Sequence, residues 1–287
     1  MQYFLAVAQE ESISAAAEYL HLSQPTLSRQ LKELEEELGK QLFIRGNRKI
    51  TLTEEGMIFK RRCLEITDLV NKTKSEISLS DGSIAGDIYI GAGETEGLKC
   101  VLNIANNLRQ SYPLVHFHII SGDAVSVTEQ LDRGLIDFGL LLGGIDSSKY
   151  DRIKLPFNDT WGVLMKRSSP LSSKESISPS DLEGLPLIIS RQQNENSPLF
   201  KWLKSGGHTP DIVATYNLAY NASLMVGEGL GYALCLDKII NVQGGDLCFK
   251  PLSPRLDIET NLVWKKYQVF GKASDLFLQN LCRCFLP

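Results

Sequence analysis

Between residues 23 and 32 the chain reads Ser-Gln-Pro-Thr-Leu-Ser-Arg-Gln-Leu-Lys. Ser23, Gln24, Thr26, Ser28, Arg29 and Lys32 can all hydrogen-bond to base edges or phosphates. Spacing decides where they point. Leu27, Leu31, Leu34 and Leu38 recur at i, i+4, i+7 and i+11, the apolar stripe of one helix, so the polar set falls on the opposite face. Ser23 suits the N-cap and Pro25 the first turn, which places the polar residues where a helix entering the major groove reads bases. A few residues on, Arg45, Arg48 and Lys49 flank a Gly46-Asn47 turn, in a stretch from 40 to 49 that contains no acid. Such a turn suits phosphate or minor-groove edges. A pair of packed helices with no nucleic-acid role is the other reading of the segment alone.

Other chemistries find little support. Gly227, Gly229 and Gly231 lack the spacing and the strand-before-helix setting of a dinucleotide fingerprint, and neither a phosphate loop nor a G-x-S-x-G elbow occurs. No catalytic residues are expected. Cys63, Cys100, Cys235, Cys248, Cys282 and Cys284 form no C-x-x-C pair and read as reduced, buried small side chains, with a redox pair as the less supported alternative. His116 and His118 share a strand face without a third ligand, so no metal is expected. The net charge of −4 argues against general polyanion binding and confines any DNA contact to the local basic stretch.

These residues need elements to hold them. Phe4, Leu5, Val7 and Ala8 give a first helix its apolar side, Ser14 suits the N-cap of a second from Ala15 to Leu20, and Gly39 ends the third. The basic turn joins two short strands, Leu42 to Ile44 and Ile50 to Leu52, before Thr53 caps a long helix with Glu54 and Glu55 in its first turn. In that helix, 53–79, Phe59, Cys63, Ile66, Val70, Thr73 and Ile77 step by 4, 3, 4, 3, 4, a heptad seam that suits a two-chain contact. Packing on its own domain is the alternative. Residues 78–86, Ser-Leu-Ser-Asp-Gly-Ser-Ile-Ala-Gly, read as a hinge. Beyond Gly86, short β-branched runs alternate with amphipathic helices, the pattern of a largely parallel α/β sheet. A break near 156–160 and a return strand at Leu262 to Trp264 divide it into two lobes. The 287 residues are enough for two or three domains, and no apolar run nears the roughly 20 residues of a membrane span, so a soluble, cytoplasmic protein is expected.

The stretch FLAVAQEESISAAAEYLHLSQPTLSRQLKELEEELGKQLFIRGNRKITLTEEG at 4–56 resembles the N-terminal signature of the LysR-type transcriptional regulators. Weaker similarity covers 88–92, Leu131 to Gly139 and Val226 to Tyr232. The resemblance implies a mainly α winged helix-turn-helix at 1–57, a linker and dimerisation helix at 58–80 and a hinge at 81–86. It further implies a two-lobed α/β effector-binding domain at 87–287, resembling periplasmic solute-binding proteins, with lobe I at about 87–158 and 262–287 and lobe II at about 159–261. Its expected partners are double-stranded DNA with an interrupted dyad operator, a second copy and then a homotetramer, RNA polymerase, and a small-molecule effector of unknown identity. No cofactor and no membrane partner are expected. A solute-binding or sensor protein whose N-terminal helices serve only for assembly is the runner-up.

Clefts of open α/β sheets lie at the carboxyl ends of strands, which nominates Glu94, Thr95, Ser121, Leu142 and Arg191, with Asn221 opening a helix. Ordinary loop and capping chemistry is the other reading of each. Helix starts near Thr95 and Asn221 favour an anion and Arg191 adds charge, whereas Glu94 opposes it and leaves an amine-bearing ligand as the alternative.

Overall fold

The computed structural model describes residues 1–46, 49–78 and 84–286. The chain divides into two compact units, Met1–Ser78 and Leu79–Pro287. The first holds helices α1 (Gln2–Glu10), α2 (Ile13–Tyr19) and α3 (Gln24–Leu38), the antiparallel strands β1 (Phe43–Arg45) and β2 (Ile50–Leu52), and helix α4 (Glu54–Ser78).

Capping sets the boundaries of these helices. Ser12, and not Ser14, caps α2: it is extended and accepts the Ala15 N–H at 3.3 Å, so the helix starts two residues earlier than its sequence suggests. Ser23 accepts the Thr26 N–H at 3.3 Å, and Gly39, at φ 65°, closes α3 in the left-handed conformation that glycine adopts freely. Thr53 caps α4 by accepting the Gly56 N–H at 2.9 Å while its own hydroxyl donates to the Gln41 carbonyl at 2.8 Å.

Phe4 is the centre of the core. Its ring lies 5.0 Å from Phe43 of the hairpin and 4.9 Å, edge-on, from Phe59 of α4. Ala16 and Ala17 are buried, and their small side chains let α2 lie close against its neighbours. Of the leucine stripe, Leu27 and Leu31 are buried and Leu34 is half-buried, but Leu38 is 43% exposed because the last turn of α3 runs past the core.

The second unit contains β3 (Gly86–Ala92), α5 (Leu98–Ser111), β4 (Val115–Ser121), α6 (Ala124–Asp132), β5 (Phe138–Leu142) and β6 (Tyr150–Lys166). It continues with β7 (Pro186–Ser190), α7 (Pro198–Lys204), β8 (Asp211–Tyr216), α8 (Ala219–Gly227), β9 (Tyr232–Leu236), β10 (Leu247–Pro251), β11 (Asp257–Lys265) and α9 (Lys272–Phe285). Strand order is β4-β3-β5-β11-β6-β9-β7-β8, with β10 also on β6. The expected break near 156–160 is absent. Strand β6 runs unbroken, pairing with β11 as far as Thr160 and with β9 from Trp161. Pro156 has no N–H for the ladder, and the register shifts on the facing strand, between Glu259 and Asn261, instead of ending the strand. Lobe I forms on β4-β3-β5-β11 around Phe138 and Phe277, and lobe II on β6-β9-β7-β8 around Leu187 and Leu203.

Gly56 lets α4 start against the hairpin. A Cβ there would stand 2.1 Å from the Leu42 carbonyl oxygen, which is backbone and cannot rotate away. Gly56→Ala should therefore cost the N-terminal unit about 1–3 kcal/mol through forced displacement. Urea unfolding followed by far-UV circular dichroism checks this, and an unchanged midpoint would show that α4 does not depend on this contact.

Candidate DNA-binding face and interlobe cleft

On α3, Gln24, Thr26, Arg29 and Lys32 are exposed and Ser28 is half-buried. Ser23 is occupied locally, its hydroxyl capping the helix and lying 2.7 Å from the Thr26 hydroxyl, so its part is to start the helix. Arg29 pairs with Glu33 at 3.3 Å and Lys32 with Glu36 at 3.4 Å. Both pairs are i,i+4 and solvent-exposed, worth a few tenths of a kcal/mol, so a phosphate or base edge can replace either acid.

Lys49 reaches back to Glu11 at the end of α1, whose carbonyl also accepts the Ile50 N–H at 2.9 Å. The hairpin is thereby pinned to α1. Glu35, which the sequence reading did not single out, pins it to α3: its Oε1 accepts the N–H of Leu42 at 2.7 Å and of Phe43 at 3.2 Å. An i,i+7 reach from a helix end to a loop leaves no periodic signal. Arg45 lies on β1 opposite Ile50, and Arg48 lies outside the described residues.

The heptad seam of α4 divides between two environments. Phe59 packs on Phe4 and is half-buried, while Cys63 is fully buried in the same core and has no surface to offer a second chain. Past that core the same face is open: Ile66 is 43%, Val70 45% and Ile77 78% exposed, and Thr73 is exposed with its hydroxyl donating to the Leu69 carbonyl. A heptad pattern cannot tell an intramolecular partner from an intermolecular one.

In the second unit, residues from both lobes meet at the cleft. Glu94, following β3 in lobe I, accepts the N–H of Ala219, the first residue of α8 in lobe II. Its carboxylate thus occupies the positive end of that helix, where the N-cap position is Leu218 and provides no side-chain acceptor. The sequence pattern gives no sign of this partner, which lies 125 residues away. Arg191 of lobe II pairs with Asp123 of lobe I, donating from Nε at 2.7 Å, and the Gln192 side chain accepts the Ala124 N–H at 3.3 Å. Asp123 also caps α6 through the Ser126 N–H at 2.9 Å. Burial pushes the Asp123 carboxyl up, but the Ser126 N–H and the Arg191 guanidinium outweigh it and hold the group below the ordinary carboxylate range.

A cavity of about 250 Å³ remains between the lobes, lined by Glu94, Thr95 and Ser121 from lobe I and by Lys238 and Ile239 from lobe II. Lys238, at φ 64°, holds a backbone conformation unusual for a residue with a side chain. Its ammonium has no hydrogen bond or ion pair among the described residues. Leu142 instead lines a separate cavity of about 200 Å³ beside α6. Asn221 is the third residue of α8, not its start, and is exposed. The structure therefore brings Glu94, Thr95 and Ser121 together at one cavity, places Arg191 in a bridge across the lobes, and leaves Leu142 and Asn221 away from both.

Thr95 reaches the point where the strands change lobe. Its hydroxyl donates to Asp159 on β6, whose Oδ2 also accepts from the Thr260 hydroxyl at 2.7 Å. Burial pushes the Asp159 carboxyl up against these two hydroxyls and the Glu96 N–H, which oppose the rise. Nearby, burial pushes the Cys235 thiol up to about 12, with the Asp237 and Glu94 carboxylates adding to it, so this cysteine stays protonated and inert. Cys63 and Cys248 are likewise buried, whereas Cys100 and Cys282 are half-buried and Cys284 is exposed, so only three of the six are the buried side chains expected.

A polar helix face held against a pinned β-hairpin, followed by a two-lobed α/β unit with a cleft, defines a winged helix-turn-helix regulator with a separate effector-binding domain. The comparisons agree. Residues 1–57 match the model for the bacterial regulatory helix-turn-helix proteins of the LysR family, and residues 81–283 match the LysR substrate-binding domain. The chain belongs to the LysR family of DNA-binding transcriptional regulators. It is 29% identical to the Hca operon transcriptional activator HcaR of Escherichia coli over 93% of this chain and 90% of that one. It is 32% identical to the regulator BsdA of Bacillus subtilis over 68% and 67% of the two chains. The fold superposes on the LysR regulator CbnR with a TM-score of 0.78, at 19% identity, covering 99% of this chain and 98% of that one. No helix among the described residues is long and apolar enough to cross a membrane.

Asp159 gives the cleft a pH dependence. Because its carboxyl is raised on folding, the folded state keeps a proton that the unfolded chain releases near pH 3.9, so stability falls as pH rises from there through the folded pKa. Asp159→Asn removes that loss. The difference in unfolding free energy between wild type and variant should drift toward the variant across this window and level off above it. A difference constant from pH 3 to pH 8, to within about 0.3 kcal/mol, would mean that Asp159 carries no such penalty.

Proposed function

We propose that α3 enters the major groove with Gln24, Thr26, Ser28 and Arg29 toward base edges, while Lys32, Lys49, Arg45 and Arg48 hold phosphates. The observation that carries this reading is the exposed polar face of α3, on a helix whose start is capped and whose neighbouring hairpin is fixed by Glu35 and Glu11. A rigid support of this kind keeps side chains in register with base edges. Two copies pair through the open part of the α4 seam, Ile66, Val70, Thr73 and Ile77, and so read two half-sites of an interrupted dyad. Assembly to a tetramer and contact with RNA polymerase follow the family pattern.

The second unit senses a small molecule in the cavity between Thr95, Ser121 and Lys238. The unpaired Lys238 ammonium and the Ser121 hydroxyl favour an anion. Such a ligand competes with Glu94 for the α8 N-terminus, and it shifts the lobes only to the extent that it binds one lobe arrangement better than the other.

Titrations against the chain's own upstream intergenic DNA test this reading. Arg29→Ala should cost about 1–3 kcal/mol at the preferred site and relax sequence choice, whereas Lys49→Ala should weaken all DNA alike and lower the salt slope by about one. In footprints, Ile66→Asp with Val70→Asp should reduce two protected half-sites to one. Unchanged operator affinity in Arg29→Ala, or two half-sites still protected by the double variant, contradicts the reading. Thr95→Val should leave ligand-free DNA binding intact while removing the response to metabolite extract, and a retained response contradicts the assignment of the cleft.

A further inference from the structure

The segment that matches the helix-turn-helix model is acidic. Residues 1–57 hold six Lys and Arg against nine Glu and no Asp, a net charge of −3, although a DNA-binding domain is ordinarily basic. Its cations are also not free. Arg29 pairs with Glu33 at 3.3 Å, Lys32 with Glu36 at 3.4 Å, Lys40 with Glu55 at 3.6 Å and Lys49 with Glu11. These four are all the Lys and Arg of residues 1–57 whose side chains are described. Gln30 steadies the first of the acids, donating from Nε2 to Glu33 Oε2 at 2.8 Å. Glu33 and Glu36 stand one turn after the cations they hold, whereas Glu11 reaches Lys49 from α1, 38 positions away. Pairs within one helix and a pair across the domain thus have the same effect on the cations assigned to DNA.

We propose that these carboxylates are internal substitutes for phosphate, and that Glu33 in particular is a specificity-determining residue of the DNA-binding face. The inference rests on the docking of α3 given under the proposed function. Binding to non-operator DNA is essentially phosphate charge and counterion release. In water an exposed carboxylate and a phosphate attract a cation about equally, so a cation that leaves its Glu for a phosphate gains little and strands an acid beside the backbone. Arg29 therefore stays with Glu33 on random sequence. At the operator, the two hydrogen bonds that an arginine makes to a guanine edge outweigh the exposed pair, and Arg29 changes partner. Lys32 and Lys49 face phosphate in either complex, so Glu36 and Glu11 lower affinity for all DNA alike. Glu33 acts on the ratio of operator to non-operator binding, and that ratio decides occupancy because a genome presents about 10⁶–10⁹ competing sites.

Fluorescence anisotropy titrations of the full chain between about 50 and 200 mM salt test this, with the upstream intergenic fragment and a shuffled fragment of equal length and composition. Glu33→Gln keeps the shape and helix preference of the side chain. It should tighten binding to the shuffled fragment about three- to fivefold and steepen its salt slope by about one, as for one added phosphate contact. The upstream fragment should gain no more than about twofold, the strength of an exposed i,i+4 pair, so the ratio falls. Glu11→Gln should tighten both fragments by the same factor. Glu10 is exposed and has no ion pair among the described residues, so Glu10→Gln removes a charge beside Glu11 without freeing a cation and should change either affinity less than about twofold. Unchanged affinity of Glu33→Gln for the shuffled fragment, an equal gain on both fragments, or an effect of Glu10→Gln as large as that of Glu11→Gln would each overturn the proposal. Arg29→Ala, titrated alongside, separates the two readings. If it weakens the upstream fragment while Glu33→Gln changes nothing, only the role of Glu33 falls; if it changes nothing, the docking of α3 falls too.

Discussion

Strand β6 constrains the whole second unit. Its 17 residues belong to both lobes, and its ladder with β11 ties them along an antiparallel pair. Relative motion of the lobes must bend this ladder, which is held by backbone hydrogen bonds and resists shear far more than bending. The register shifts opposite Pro156, and Asp159 and Thr260 stand beside the shift. The cleft residues therefore flank a strand that both lobes share. Across it, Glu94 on α8 and Asp123 on Arg191 each join a carboxylate of lobe I to a positive group of lobe II. Opening the lobes must break both, so a ligand that replaces one of them acts on the same balance.

The N-terminal unit uses the same economy on a smaller scale. Phe4, Phe43 and Phe59 bring α1, the hairpin and α4 to one point, and Gly56 lets α4 begin there. The exposed polar residues of α3 lie outside this core. Helix α4 is built in two halves: one completes the domain through Phe59 and Cys63, and the other presents Ile66, Val70 and Ile77 to solvent.

Local signals were legible and long-range partners were not. Ser23, Pro25 and Gly39 bounded α3 because caps act within one turn, and the leucine stripe identified its buried face, although Leu38 shows that periodicity cannot say where a core ends. The α/β alternation identified the second unit, and strand ends nominated Glu94, Thr95 and Ser121. What these residues touch was hidden. Asp159 meets Thr95 from 64 positions away and Ala219 meets Glu94 from 125, separations that no periodic pattern encodes. Lys238 was missed because a single lysine after a strand looks like any solvated side chain until its backbone conformation and its cavity are seen. Ser12 and Ser14 both precede the same apolar run, and only backbone geometry marks Ser12 as the cap.

The account rests most on Glu94 holding the two lobes together through the first N–H of α8. Hydrogen exchange of the Ala219 amide, followed by NMR in the full chain, measures that bond directly. In the wild type without ligand this amide should be protected although it opens a helix, and Glu94→Ala should speed its exchange at least tenfold while amides at the centre of α8 keep theirs, a loss of about 1.4 kcal/mol in local opening. Equal exchange of Ala219 in the two proteins would contradict the account, because the carboxylate would then not be closing the cleft.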